Sequence, residues 1–131
     1  MRAVMTSVLV LLGLASGAAT AAVNCTHRFP VGASYVPYCS NDRHGPAVFV
    51  IHGTNGNADD YLGYLDDLDT LVIAPHFQES GPGLYWTSGG WKRGDRSKDA
   101  ERVSSYEVLD RMVEMYHGVA VAGHSAGGQF V

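Results

Sequence analysis

With 131 residues and a net charge of −4, the chain has room for one domain at most. No basic tract is present, which excludes a nucleic-acid partner, because phosphate binding needs a clustered positive footprint. The hydrophobic content of 46% and aromatic content of 10% are those of a globular chain and exclude a disordered one.

The first 22 residues read as a cleavable signal peptide. Arg2 supplies the charge, Val8-Leu-Val-Leu-Leu-Gly-Leu14 the apolar core, and Ala19-Thr-Ala21 or Thr20-Ala-Ala22 the small-residue cleavage site. The apolar part is too short for a stable membrane anchor and lacks a basic stop-transfer flank, so the mature chain is expected to be secreted. Cys25 and Cys39 are the two cysteines, just past the cleavage site. In an oxidising compartment they can close one short loop, and a free pair is the alternative. Asn24-Cys25-Thr26 fits the N-glycosylation sequon.

Residues 23–46 carry prolines, glycines and the cysteines. Ala33-Ser-Tyr-Val-Pro-Tyr38 is expected to hold an edge strand, since Pro37 cannot donate to a ladder on both sides. Ala47-Val-Phe-Val-Ile51 is a continuous β-branched and aromatic run, the pattern of a strand buried on both faces. It leads into the turn-rich loop His52-Gly53-Thr54-Asn55-Gly56-Asn57. A helix is expected over 58–68, with Tyr61, Leu62, Leu65 and Leu68 at helical spacing. Asn57 is placed as its N-cap, and Asp59 and Asp60 favour the positive end of its dipole. Leu71-Val-Ile-Ala74 is a second short buried strand, closed by Pro75.

Residues 76–98 form a long loop that holds both tryptophans, Trp86 and Trp91. They serve either as a wall for an apolar substrate or as anchors that tie the loop to the body. Ser104-Ser-Tyr-Glu107 then reads as a capping box, with Val103 and Val108 at the positions of a hydrophobic staple. The helix it starts is expected to turn Tyr106, Leu109, Val113 and Tyr116 inward, with Val108, Met112 and Met115 beside them. Gly118 is expected to end it. A third apolar run, Val119-Ala-Val-Ala122, enters Gly123-His124-Ser125-Ala126-Gly127, which fits Gly-x-Ser-x-Gly.

In a nucleophile elbow of that pattern, the serine occupies a strained turn between a buried strand and a helix, with its hydroxyl facing a cleft. The alternation β-α-β-α-β, with all three strands apolar, predicts a parallel sheet with helices on both faces. Ligands of such sheets bind at the carboxyl ends of the strands. His52-Gly53-Thr54, His76 and Ser125 would converge there. Attack by Ser125 on an acyl carbon puts charge on the carbonyl oxygen, which preset N–H donors must meet. Ala126 supplies one by position; the other comes from the loop after the 47–51 strand, Thr54 first and Asn55 second.

The segments Val-Phe-Val-Ile-His-Gly-Thr-Asn-Gly-Asn-Ala-Asp-Asp-Tyr and Gly-His-Ser-Ala-Gly-Gly-Gln together resemble the N-terminal half of a secreted α/β-hydrolase, most of all its esterase and polyester-depolymerase-like branch. The resemblance runs over residues 46–131. It implies that Ser125 is the nucleophile, that Thr54 and Ala126 form the oxyanion hole, and that Gly123, His124, Gly127, His52 and Gly53 are the surrounding motif. It implies a small-molecule or polymeric ester as substrate and no metal or organic cofactor.

In the family an acid and a histidine follow the serine, whereas no acidic residue and no histidine follows Ser125 here. His124 sits on the elbow itself, His52 is expected to brace the oxyanion loop, and His27, His44 and His117 to be exposed or capping. The resemblance therefore implies an incomplete chain, truncated after the elbow and lacking on the order of a hundred residues. Without its base a serine nucleophile loses roughly a million-fold in turnover, so this polypeptide alone is expected to be inactive as an esterase. The alternative is a catalytically inactive secreted fragment that keeps this part of the fold as a binding surface.

Overall fold

The computed structural model describes residues 23–131. The stretch read as a signal peptide lies outside the described residues. Five strands, β1 (Asn24–Val31), β2 (Ser34–Ser40), β3 (Ala47–Ile51), β4 (Val72–Pro75) and β5 (Gly118–Gly123), form one sheet in the order β1-β2-β4-β3-β5. Three helices accompany them: α1 (Ala58–Tyr64), α2 (Ser105–Met115) and α3 (Ala126–Phe130).

The sheet is mixed. β3 runs parallel to β4 and to β5, but β2 is antiparallel to both β1 and β4. This overturns the expectation of the N-terminal portion of an α/β-hydrolase fold, with a parallel sheet and helices on both faces. The stretch that looked irregular is responsible. Gly32, with φ +58, turns the chain tightly enough for residues 24–40 to fold back as a hairpin against β4. The helices are also short, at seven, eleven and five residues.

β2 is likewise not an edge strand. Pro37 is tolerated because the pairing with β4 begins at Tyr38, and Pro37 contributes its carbonyl to the N–H of His76. The edges are β1 and β5. Between Asn24↔Ser40 and His27↔Tyr38, β1 places two residues, Cys25 and Thr26, opposite Cys39 alone. Cys25 and Cys39 are joined there in a disulfide, which is compatible with an extracellular protein. The bond spans a sequence separation of 14. Loop-closure entropy for a span of that size predicts that reduction, or Cys25→Ala with Cys39→Ala, lowers unfolding free energy by about 3 kcal/mol. Urea titration with and without reductant checks this.

Alternation along the central strands divides the core. Phe49, Ile51 and Ile73 join the larger cluster with Val108, Leu109 and Met112 of α2, while Val50, Val72 and Ala74 pack with Ala58 and Leu62 of α1. α1 ends at Tyr64, short of the expected 68, and the chain continues in turns that still seat Leu65 and Leu68 against the smaller cluster. Asn57 stands at its N-cap position but caps no N–H; its carboxamide donates to Asp60 instead, at 2.9 Å.

α2 starts as its sequence suggests in one respect. Ser104 Oγ accepts from the N–H of Tyr106, and Val103 and Val108 are both buried. Glu107 does not close the box; it pairs with Arg111 one turn on. The inward face is centred on Val108, Leu109 and Met112, leaving Tyr106 and Met115 exposed. His117, at φ +54, makes the left-handed turn out of the helix that had been expected of Gly118. Gly118 belongs to β5, where a Cβ would come within 2.9 Å of Phe49.

The long loop is pinned throughout. A 3-10 segment, Thr87–Arg93, interrupted by left-handed Ser88 and Gly89, occupies its middle. The N–H groups of Leu84 and Trp86 bond to Tyr35 and Gln78 carbonyls, and Lys98 returns to Tyr85. Trp86 and Trp91 are 0% and 1% exposed. They are therefore loop anchors rather than a substrate wall: Trp91 stacks on Phe77, and Trp86 donates to the Asp95 carbonyl.

Candidate active site

The parallel core of the sheet brings the carboxyl ends of β3, β4 and β5 to one side of the molecule, and the site is built there. β5 ends at Gly123, α3 begins at Ala126, and Ser125 joins them with φ 56 and ψ −117. That is a strained backbone for any residue with a Cβ, and it holds the side chain out at the tip of the turn. Ser125 is exposed, and its hydroxyl bonds to no other described residue.

Both glycines of the pattern are there for steric reasons. A Cβ on Gly123 would lie 2.2 Å from the Gly127 carbonyl oxygen, and one on Gly127 would lie 2.1 Å from that of Ile51. The elbow can close onto the end of β3 only with hydrogen at both places. Across from it, the N–H of Gly56 bonds to the Gly53 carbonyl, with Gly56 at φ +68, and curls residues 53–56 into a turn. Gly53 faces the serine, since a Cβ built there would be 3.7 Å from that of Ser125. The N–H groups of Thr54 and Ala126 have no hydrogen-bond acceptor among the described residues.

His52 holds this loop from beneath. It is 1% exposed, and its Nε2 accepts from the N–H of Phe77 at 3.0 Å. The proton therefore resides on Nδ1, which donates to the Gly53 carbonyl at 2.7 Å. Burial pushes the imidazole pKa down to about 4, against the opposing pull of the Gly53 carbonyl, so the ring is neutral. Trp91 packs against it at 4.7 Å between ring centroids. The buried tryptophan thus stands one layer below the loop rather than in the cleft.

A cleft of about 510 Å³ opens above Ser125 and His124. Gly53, Thr54, Asn55 and Asn57 form one wall, and Tyr61 and Tyr64 of α1 the other. Tyr61 Oη lies 3.3 Å from His124 Nδ1. Neither tyrosine stood out in the sequence as a site residue, because Tyr61 at helical spacing is equally a core position and Tyr64 carries no motif.

The remaining histidines do not meet the serine. His76 is half-buried, its pKa lowered by desolvation, and it borders Gly56 on the far side of the loop. His27 pairs with Asp42 at 2.8 Å on the hairpin. The Asn24 side chain, of the sequon, donates its Nδ2 to Asp42, and its Oδ1 accepts from the hydroxyl and N–H of Thr26. Among the described residues, no group of three or more His, Cys, Asp or Glu is placed to hold a metal ion, and no helix is long and apolar enough to cross a membrane.

No family model matches the chain, and no curated protein matches it. A solved structure does: poly(aspartic acid) hydrolase-1 from Sphingomonas sp. KT-1, with a TM-score of 0.60 at 22% identity. The match covers 86% of this chain and 50% of that one, so the chain spans half the length of this hydrolase. At such identity the likeness is one of fold.

Proposed function

We propose that Ser125 is the nucleophile of a secreted serine hydrolase acting on carboxylic esters, with the N–H groups of Thr54 and Ala126 as its oxyanion hole. The observation that carries this reading is the backbone of Ser125, held at φ 56 and ψ −117 by two glycines that admit no Cβ, with its side chain in a cleft facing the Gly53 turn. A hydrolase as structural neighbour is consistent with it. Oγ attacks the carbonyl carbon as its proton passes to solvent, the π pair moves to oxygen, and the two unengaged N–H groups receive that charge. Collapse expels the alkoxide, which takes a proton from solvent to become the alcohol, and leaves an acyl-serine. One such donor is worth roughly a hundred- to a thousandfold in rate. The proton acceptor is not assigned to any residue of this chain, since no histidine hydrogen-bonds to Ser125 among the described residues.

A thiol tests the site without that acceptor, because it is partly ionised at neutral pH and strongly nucleophilic. Ser125→Cys, with the native disulfide intact, is expected to be acylated by 4-nitrophenyl butyrate on the order of a hundredfold faster than a cysteine placed at exposed Ser80. Mass spectrometry of the two peptides reads the butyryl adduct. Equal rates at the two positions would refute the oxyanion hole.

A further inference from the structure

We infer that Tyr61 and Tyr64 form an aromatic subsite beside Ser125, selecting uncharged esters with an aromatic acyl group and disfavouring anionic ones. The inference rests on Ser125 being the nucleophile. α1 is short; Ala58 and Leu62 are its buried residues, and Tyr61 packs half-buried against the same cluster while also lining the cleft. Residues three apart share a helix face, which places Tyr61 and Tyr64 together on the side that borders the cleft.

Their rings meet edge to face, 5.7 Å apart and at 88°. Tyr61 is the inner member: its hydroxyl touches His124, and it lies 3.5 Å from where a Cβ on Gly53 would be. Tyr64 is the outer member and is 72% exposed, a large ring displayed at a cleft wall rather than packed in a core. An edge-to-face pair leaves the open ring face available to a third planar group. The cleft volume falls within the range of small-molecule sites, and its lining otherwise consists of Gly53, Thr54, Asn55, Asn57, His124 and Ser125, with no Asp, Glu, Lys or Arg among them.

Charge narrows the class further. No lysine or arginine occurs between Arg43 and Lys92, whereas Asp59, Asp60, Asp66, Asp67, Asp69 and Glu79 all fall in that interval. The segment that supplies both cleft walls therefore carries a net negative charge along the sequence, and its field opposes an approaching carboxylate. Poly(aspartic acid), named for the structural neighbour, is a polyanion and fits this wall poorly.

The experiment compares 4-nitrophenyl benzoate, butyrate and hemisuccinate as acyl donors to Ser125→Cys, each rate divided by that of the Ser80→Cys control. The normalised benzoyl-to-butyryl ratio is expected at about three to ten, the size of one aromatic contact. Tyr64→Ala should bring it to about one and Tyr64→Phe should retain it; both changes are on an exposed side chain and leave the fold intact. The succinyl donor should be slowest and should recover in about 1 M salt, where charge is screened. A normalised ratio near one in Ser125→Cys, or a ratio unmoved by Tyr64→Ala, overturns the subsite, while fast acylation of Ser125→Cys still stands as evidence for the nucleophile. If Ser125→Cys is acylated no faster than Ser80→Cys by every donor, both readings are overturned.

Discussion

Gly127→Ala is expected to destabilise the protein by about 3 kcal/mol or more, which for a domain of this size lowers Tm by roughly 10 to 20 °C. The new Cβ would stand 2.1 Å from the carbonyl oxygen of Ile51 and 2.7 Å from that of His52. Both are backbone atoms at the end of a central strand, so no rotamer change relieves the contact. Relief requires α3 to move off β3, which costs the burial of Ala126 and Phe130 and carries Ser125 away from the Gly53 turn. Gly63→Ala is the control, since a Cβ there meets nothing within 4 Å and the position is helical. That change is expected to be neutral or stabilising by up to about 1 kcal/mol. Thermal unfolding followed by far-UV circular dichroism distinguishes the two. A Gly127→Ala protein that melts with the parent would show that the elbow is not seated on β3.

The second large effect is in pH. His52 has a folded pKa of about 4, against about 6.5 for an unperturbed histidine, chiefly because burial disfavours the imidazolium. Between those two values the unfolded chain binds a proton that the folded chain refuses. Stability therefore rises with pH across this window, is fully present above about 6.5, and is lost as pH falls towards 4. Integrated over the shift, the loss is about 3 kcal/mol. His76, lowered in the same direction by desolvation, adds to it. Urea midpoints between pH 4 and 7 should show this slope, and His52→Gln, which can still donate to Gly53 and accept from Phe77, should flatten much of it. An unchanged slope in His52→Gln would place the titration elsewhere.

Legibility in the sequence followed the physical strength of each signal. Ala47–Ile51 was readable because a strand buried on both faces leaves no polar position to confuse the pattern. The run before Gly123 carries the same apolar signal, yet β5 is an edge strand that leaves Val119, Ala120 and Ala122 exposed. The elbow was readable because its glycines answer to steric limits so tight that few other residues fit. The hairpin was not: Pro37, Gly32 and the cysteines imitate irregular chain, and the partner that makes β2 a strand lies more than thirty residues on, at Ile73 to Pro75. Strand direction was lost with it, since an apolar run does not say which way its neighbour runs. Trp86 and Trp91 were ambiguous because the same indole suits a cleft wall or a core, and only burial decides. Tyr61 and Tyr64 were missed for the converse reason. A helical spacing that suits core packing also suits a pair of rings turned toward a cleft.

The disulfide at the β1–β2 bulge has a consequence beyond the entropy of the unfolded chain. On β1 buried Phe29 and Val31 alternate with exposed Arg28 and Pro30. A slip of one residue against β2 would exchange these sets, turning two apolar side chains to water and a guanidinium and a proline toward the core. Cys25 bound to Cys39 forbids that slip, because the bond fixes which residues of the hairpin stand opposite each other. It acts as a register pin at the open end of the hairpin: the oxidised chain is held there by a covalent bond, whereas the reduced chain keeps that alignment through the Gly32 turn and side-chain packing.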